Sequence, residues 1–428
     1  MKSLNFLLIP NVLNFYDLNQ LEEIKQNLEK YGHQATIFKR KIDNDVITLT
    51  NSEIVSFIKE NKCDCVFRVN GGRPLEINKD TRFISWFQDF YYNSDKELEK
   101  FNKNDIVYFY TSPKSFGVKT KIPCYSSTFY PGVAKIKDDE SIFSISKKEN
   151  INKYQNIDFS LLGAILVQNI TDFNNSHYRN YDINEDHLVA YSDFLDFKFK
   201  LDKKEKIPTV NQYKEFICEL QNIVELNYEP LSGELDVKKL AEKVKNLMIS
   251  RFEFTNNELF NGWKRYFSTE YPRVLDRIAM ARLISTFSNN FVVVSDGWER
   301  VEEFIDYHMK KINKTKDLYR LLKKSKINLF SNTHGLGMHS KVFETMINGG
   351  FVAIPFSKKN SDQAGIKEGF IEGEDFGEFD PNKFDEFINN WLFNTKKRIL
   401  IGENARQKTL SNHTWEVRVK QLLDDLKI

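Results

Sequence analysis

Between Ser325 and Pro355 the chain reads as strand, glycine-containing loop, helix, Gly-Gly turn and strand, and this block holds the side chains best suited to chemistry. His339, Ser340 and Lys341 fall at the start of a helix expected over 339–348. There, backbone N–H groups, side-chain donors and a positive charge can meet a diphosphate. Glu344 lies within the next helical turn, within reach of a ribose or sugar hydroxyl. Gly349-Gly350 is what any helix needs in order to turn directly into a strand. Gly335-Leu-Gly337 lacks the third glycine of a dinucleotide fingerprint and does not indicate NAD.

Earlier in the chain, the apolar run Phe83 to Phe87 delivers Gln88 and Asp89 to the end of a strand. A carboxylate there can serve as general base toward a hydroxyl, or can cap the following helix. Asn70-Gly71-Gly72-Arg73 follows the apolar stretch Cys65 to Val69 and suits either acceptor contacts or a plain turn. Asp43-Asn44-Asp45 has the shape of a cation-binding DxD, and equally of a solvated turn; with a helix start supplying the electrostatics, no metal is expected. A G-x-S-x-G elbow and a P-loop are both missing from the sequence, which removes those routes to hydrolase and NTPase chemistry.

The elements that must position these residues alternate in type. Strands are expected at 4–9, 35–38, 65–69, 83–87 and 106–110, with helices at 18–31 and 51–60 between them. Runs this apolar suit a parallel sheet covered on both faces. A polar stretch over about 136–157 reads as an interdomain linker, and Phe159 to Ala164 opens a second domain. Helical spacing in Tyr213, Phe216, Ile217, Leu220, Ile223 and Val224, and again from Val237 to Met248, marks a helical insertion over about 165–290. Alternation resumes at Asn290 to Val294 with helix 316–324 and strand Ile327 to Phe330, and the chain closes with an amphipathic helix from about Thr414. The division expected is 1–145 as a Rossmann-like acceptor domain, 158–410 as a Rossmann-like nucleotide-binding domain, and 411–428 as a closing helix able to pack back on the first domain. Two such domains are expected to face one another across a cleft.

Composition limits the partners. In 428 residues, 62 Lys+Arg nearly balance 60 Asp+Glu, so no single-signed field awaits nucleic acid. The four cysteines show no metal or disulfide spacing and read as reduced thiols. No apolar run approaches the roughly 18 residues of a membrane span, and Pro10 and Asn11 interrupt the first one, against a signal peptide. The expectation is a cytoplasmic protein without a transmembrane segment.

The block Asn328-Leu329, His339-Ser340-Lys341, Val342-Phe343-Glu344 and Gly349-Gly350-Phe351 resembles the sugar-nucleotide motif of group 1 glycosyltransferases of the GT-B fold, CgeB-like type. Asp158 to Gly163, Val294-Ser-Asp-Gly-Trp298 and His413-Thr-Trp-Glu-Val-Arg418 follow in the order of that family. The resemblance covers about residues 290–426 well and the first half in outline. It implies a metal-independent transferase moving sugar from a nucleoside diphosphate sugar to a hydroxyl of a glycan, protein or small molecule, with no cofactor. Donor contacts would come from Gly297, Trp298, His334, His339, Ser340, Lys341 and Glu344. Asp89 would be the base, and Gln88, Asn70 and Arg73 would face the acceptor. Lys341 stands where arginine is usual, and Leu336 stands where a retaining enzyme's first glutamate would be, so retention and inversion both stay open. A sugar-nucleotide epimerase and a non-catalytic binding subunit are the alternatives.

Overall fold

The structure is a computed structural model and describes residues 3–13, 15–39, 47–48, 50–88, 97–114, 118–165, 210–252, 267–268, 271–331 and 337–427. The chain divides into two compact units. One consists of Met1–Lys137, Met338–Ile347 and Arg406–Ile428; the other consists of Asp138–Gly337 and Asn348–Ala405.

The first unit is built on a six-stranded parallel sheet in the order Gln34–Ile37, Asn5–Ile9, Cys65–Val69, Arg82–Phe87, Ile106–Phe109, Tyr125–Thr128. Its central strands are buried almost throughout, as their unbroken apolar runs require. The strand order reverses between Asn5–Ile9 and Cys65–Val69, which makes the crevice beyond their C-terminal ends the natural place for a ligand. Val12–Leu13 and Ile47–Thr48 form a separate antiparallel pair.

Two helices cover one apolar face of this sheet. Phe15–Lys30 contributes Leu21, Ile24 and Leu28, and Trp415–Asp425 contributes Trp415, Val419, Leu422 and Leu423. Thr414 caps the second helix by accepting from the Val417 amide at 3.4 Å, and Glu416 in its first turn pairs with Lys30 and Lys135. Each large apolar side chain buried this way is worth about 1.5–3 kcal/mol, far more than those exposed ion pairs. Gly132 permits the approach: a Cβ there would lie 2.6 Å from the Trp415 ring and 2.7 Å from its backbone nitrogen.

The second unit carries another six-stranded parallel sheet, ordered His308–Met309, Phe291–Val294, Ile157–Leu162, Ser325–Leu329, Val352–Pro355, Gly377–Phe379. Its reversal falls between Ile157–Leu162 and Ser325–Leu329. The expected helices of the insertion appear as Val210–Glu225 and Val237–Phe252, followed by Tyr271–Ser285. Phe216, Leu220, Val224, Leu240, Val244 and Met248 all enter one core with the sheet residues Phe159, Leu161 and Ile327. The stretch expected to be a bare linker contains the short helices Ile142–Lys148 and Ile151–Tyr154, capped by Ser141 and Asn150. Polar caps and lysines gave that stretch its loop-like composition.

Candidate functional site

The helix Ser340–Ile347 begins in a clasp of side chains from the first unit. The amides of Val342 and Phe343 both donate to the His339 carbonyl at 3.0 Å, and the Lys341 amide donates to His339 Nδ1 at 3.2 Å. An amide only donates, so Nδ1 is the acceptor, and the proton of the neutral ring is assigned to Nε2. Tyr16 donates its hydroxyl to Ser340 Oγ at 2.7 Å, and Tyr110 donates to the Met338 carbonyl at 2.6 Å. The rings of Tyr110 and His339 lie 6.4 Å apart. At the other side of the helix Phe343 stacks on His413 at 4.4 Å, and Arg418 donates to His413 Nδ1 at 2.8 Å. Burial, assisted by the Arg418 cation, holds His413 down to about 3, so it stays neutral and serves as an acceptor.

Lys341 and Glu344 are both half-buried on this helix. Burial pushes the Glu344 carboxyl up to about 7, with Lys341 pulling the other way. The group therefore changes charge near neutrality. The helix start thus gathers an imidazole, a hydroxyl and an ammonium at the positive end of the helix dipole, which can attract an anion, with a titratable carboxyl one turn on.

At the reversal point of the first sheet, Asn70 adopts a left-handed backbone with φ 48° and is buried. Its amide donates to the Trp86 carbonyl at 2.9 Å, and its Oδ1 accepts from the Gln88 amide at 2.6 Å. Gln88 in turn reaches Gln20 at 3.5 Å. Arg73 has a different role from the acceptor contact expected of it. Its guanidinium is 3% exposed and binds Asp105 at 3.0 Å and the carbonyls of Thr81 and Asn78 at 3.1 and 2.7 Å. It braces the loop below the strand ends. Asp89 and His334 lie outside the described residues, as do Leu336 and Asp43-Asn44-Asp45.

In the second unit the loop after Phe291–Val294 is tightly turned, with Ser295 at φ 116° and Gly297 at φ 99°. Trp298, expected to border a nucleotide pocket, is instead wholly buried, donating Nε1 to the Gly163 carbonyl at 2.8 Å and meeting Phe304 edge-on at 5.8 Å. A ring locked in the core cannot flank a ligand, and the Gly297 amide donates to Glu299 at 2.9 Å. Arg277 hydrogen-bonds the Ala164 carbonyl just beyond the strand Ile157–Leu162. Among the described residues, no three His, Cys, Asp or Glu side chains stand together as a metal site, and no helix is long and apolar enough to cross a membrane.

Sequence reasoning missed Tyr16 and Tyr110, which meet the helix start from 324 and 228 residues away. No local pattern announces such a pairing.

Comparison with known proteins gives the following. Residues 273–424 match the family described as glycosyl transferase-like. No curated protein sequence matches the chain. Among solved structures, the Anabaena protein HepE in complex with UDP and glucose aligns over 99% of this chain and 100% of its own, with TM-score 0.50 and 10% identity. An α-glucosyltransferase in complex with UDP and a 13-mer DNA covers 100% of both chains at TM-score 0.49 and 10% identity. A glycosyltransferase from Rickettsia africae covers 100% of this chain and 98% of its own at TM-score 0.47 and 11% identity. Of these three the HepE likeness carries the fold. Residues 273–424 are thus a glycosyltransferase-like domain, within an α/β chain of two parallel sheets that has the GT-B glycosyltransferase fold.

Proposed function

We propose that the protein is a metal-independent glycosyltransferase of the CgeB-like type, working in the cytoplasm on a nucleoside diphosphate sugar. The observation that carries the reading is the start of the helix Ser340–Ile347. His339 caps it with its Nδ1, and Ser340 and Lys341 follow it at the positive end of the helix dipole. In the reaction, the oxygen of an acceptor hydroxyl bonds to the anomeric carbon as the bond from that carbon to the diphosphate oxygen breaks. The electron pair leaves on the diphosphate, and the hydroxyl proton passes to a base, for which Asp89 is our candidate. Donors already oriented toward the departing charge lower the barrier without reorganising, and a helix N-terminus with Lys341 supplies them without a cation. Glu344 is the proposed partner of the donor ribose. The burial that pushes Cys65 and Cys124 up to about 12 leaves inert thiols, in keeping with a reducing compartment.

UDP-glucose is the first donor to offer, because HepE has been crystallised with UDP and glucose. Release of UDP from UDP-glucose should persist in excess EDTA. Activity that vanishes on chelation and returns with manganese or magnesium would contradict metal independence, and a chain that binds no nucleoside diphosphate would contradict the transferase reading itself.

A further inference from the structure

The acceptor side of this site has a chemistry of its own, and the inference drawn from it rests on the transferase reading. Where the first sheet reverses, strand ends and the following helix place uncharged hydrogen-bonding side chains together. Tyr16 and Gln20 lie one turn apart on the helix Phe15–Lys30, so they share a face. Tyr16 is 45% exposed and touches Ser340 of the proposed donor helix at 2.7 Å. Gln20 is buried and accepts from the half-buried Gln88 at 3.5 Å. Asn70 is held at φ 48°, a conformation that costs energy for a side-chain residue, with its Oδ1 on the Gln88 amide at 2.6 Å. Gln20 and Asn70 are thus positioning residues that fix the half-buried Gln88, while Tyr16 is exposed. Asp17, the carboxylate of the same helical turn, is buried where it offsets the partial charge of the helix N-terminus.

We infer that Tyr16 and Gln88 contact the acceptor, and that this acceptor is an uncharged, hydroxyl-bearing molecule, a neutral saccharide, in preference to an anionic one. A carboxamide sets a donor beside an acceptor, which matches the dual character of a hydroxyl. A phenol adds a second hydroxyl partner and an apolar ring for the C–H face of a sugar. A uronate or a sugar phosphate would find no cation among Tyr16, Gln20, Asn70 and Gln88, and with Lys341 engaged by the donor diphosphate its charge would lose solvation without return. The Tyr16 to Ser340 bond also fixes where this acceptor sits, directly beside the helix start assigned to the leaving diphosphate.

The test is binding by the full chain, followed by saturation-transfer NMR and calorimetry, with glucose, maltose, glucuronate and glucose 6-phosphate as probes, each in the presence of saturating UDP, and with UDP also titrated alone. The expected result is that the neutral sugars bind at least about tenfold more tightly than the two anions, a difference of about 1.4 kcal/mol. Gln88→Glu should weaken neutral-sugar binding at least severalfold, leave UDP affinity within twofold, and all but abolish binding of glucuronate. Tyr16→Phe, which keeps the ring, should weaken sugar binding by a smaller factor, and an unchanged melting temperature would show both variants folded. Anions binding as well as neutral sugars, no sugar binding at all, or Gln88→Glu and Tyr16→Phe both without effect on folded protein would overturn the inference. Sugar binding with the expected preference but no UDP binding would refute the transferase reading instead and leave the saccharide site standing.

Discussion

At the C-terminal ends of its strands the first sheet presents Asn70, Gln88 and Tyr110, with Tyr16 close by, all uncharged. The corresponding ends in the second sheet carry Arg277 against the Ala164 carbonyl and Lys359 just after Val352–Pro355. Burial lowers the pKa of Lys359, opposed by Asp276 and Asp362. Both sheets are parallel and each has a reversal point, which separates two strands from four in the first sheet and three from three in the second. Side-chain chemistry differs as well: the first set of strand ends carries amides and phenols, the second an arginine and a lysine. Like scaffolds acquire unlike ligands through a few residues at strand ends.

The largest effect that would sharpen this contrast is expected at the end of the strand Arg82–Phe87. Asp89→Asn should lower turnover by roughly 10²–10⁴-fold, the usual contribution of a general base, while UDP affinity stays the same. Turnover per folded molecule that is unchanged, alongside a lower melting temperature, would make Asp89 a structural cap.

Next in size is a test of how far the second unit depends on buried charge. Asp276 is 2% exposed and accepts from the Tyr228 hydroxyl at 2.6 Å and the Leu231 amide at 2.7 Å, holding Leu231 at φ 68°. Asp276→Ala should cost about 2–4 kcal/mol in urea denaturation, because two buried donors lose their acceptor. A loss below about 0.5 kcal/mol would show that the loop finds other partners.

A smaller effect, and one that depends on pH, belongs to Glu344. Its carboxyl is raised from the ordinary 4.5 to about 7, so the folded protein favours the protonated form. The stability this group contributes is present below the unfolded value and is lost as pH rises through about 7. Glu344→Gln should therefore gain on the wild type between pH 5 and pH 8, by at most about 3 kcal/mol. If a ribose hydroxyl donates to the carboxylate, UDP affinity should strengthen with rising pH across the same window in the wild type and not in the variant. A flat wild-type profile would remove Glu344 from the donor site.

Much of this architecture was legible in the sequence for a simple reason. Strands such as Cys65–Val69 and Phe291–Val294 are buried on both faces and so appear as continuous apolar runs. Tyr125–Thr128 escaped notice because its Tyr-Ser-Ser-Thr is polar and only half-buried, as an edge strand can be. His308–Met309 and Gly377–Phe379 are too short to show a period. At the site, glycines and the helix period marked 339–344 locally, whereas the partners Tyr16 and Tyr110 come from a helix and a strand end far away in sequence. Trp298 entered the donor list through the family resemblance, yet its indole fills the core. Spacing reports which element a residue sits on, and burial of its side chain is decided by packing.

The central claim is that the helix start at 339–341 holds a nucleoside diphosphate without a metal. Calorimetric titration of UDP into wild-type protein and Lys341→Ala, both in excess EDTA, tests it most directly. The account predicts measurable binding by the wild type and a loss of about 1.5–3 kcal/mol in the folded variant, the range for a charge-assisted hydrogen bond. Equal affinity in the two proteins, or wild-type binding that requires a divalent cation, would contradict it.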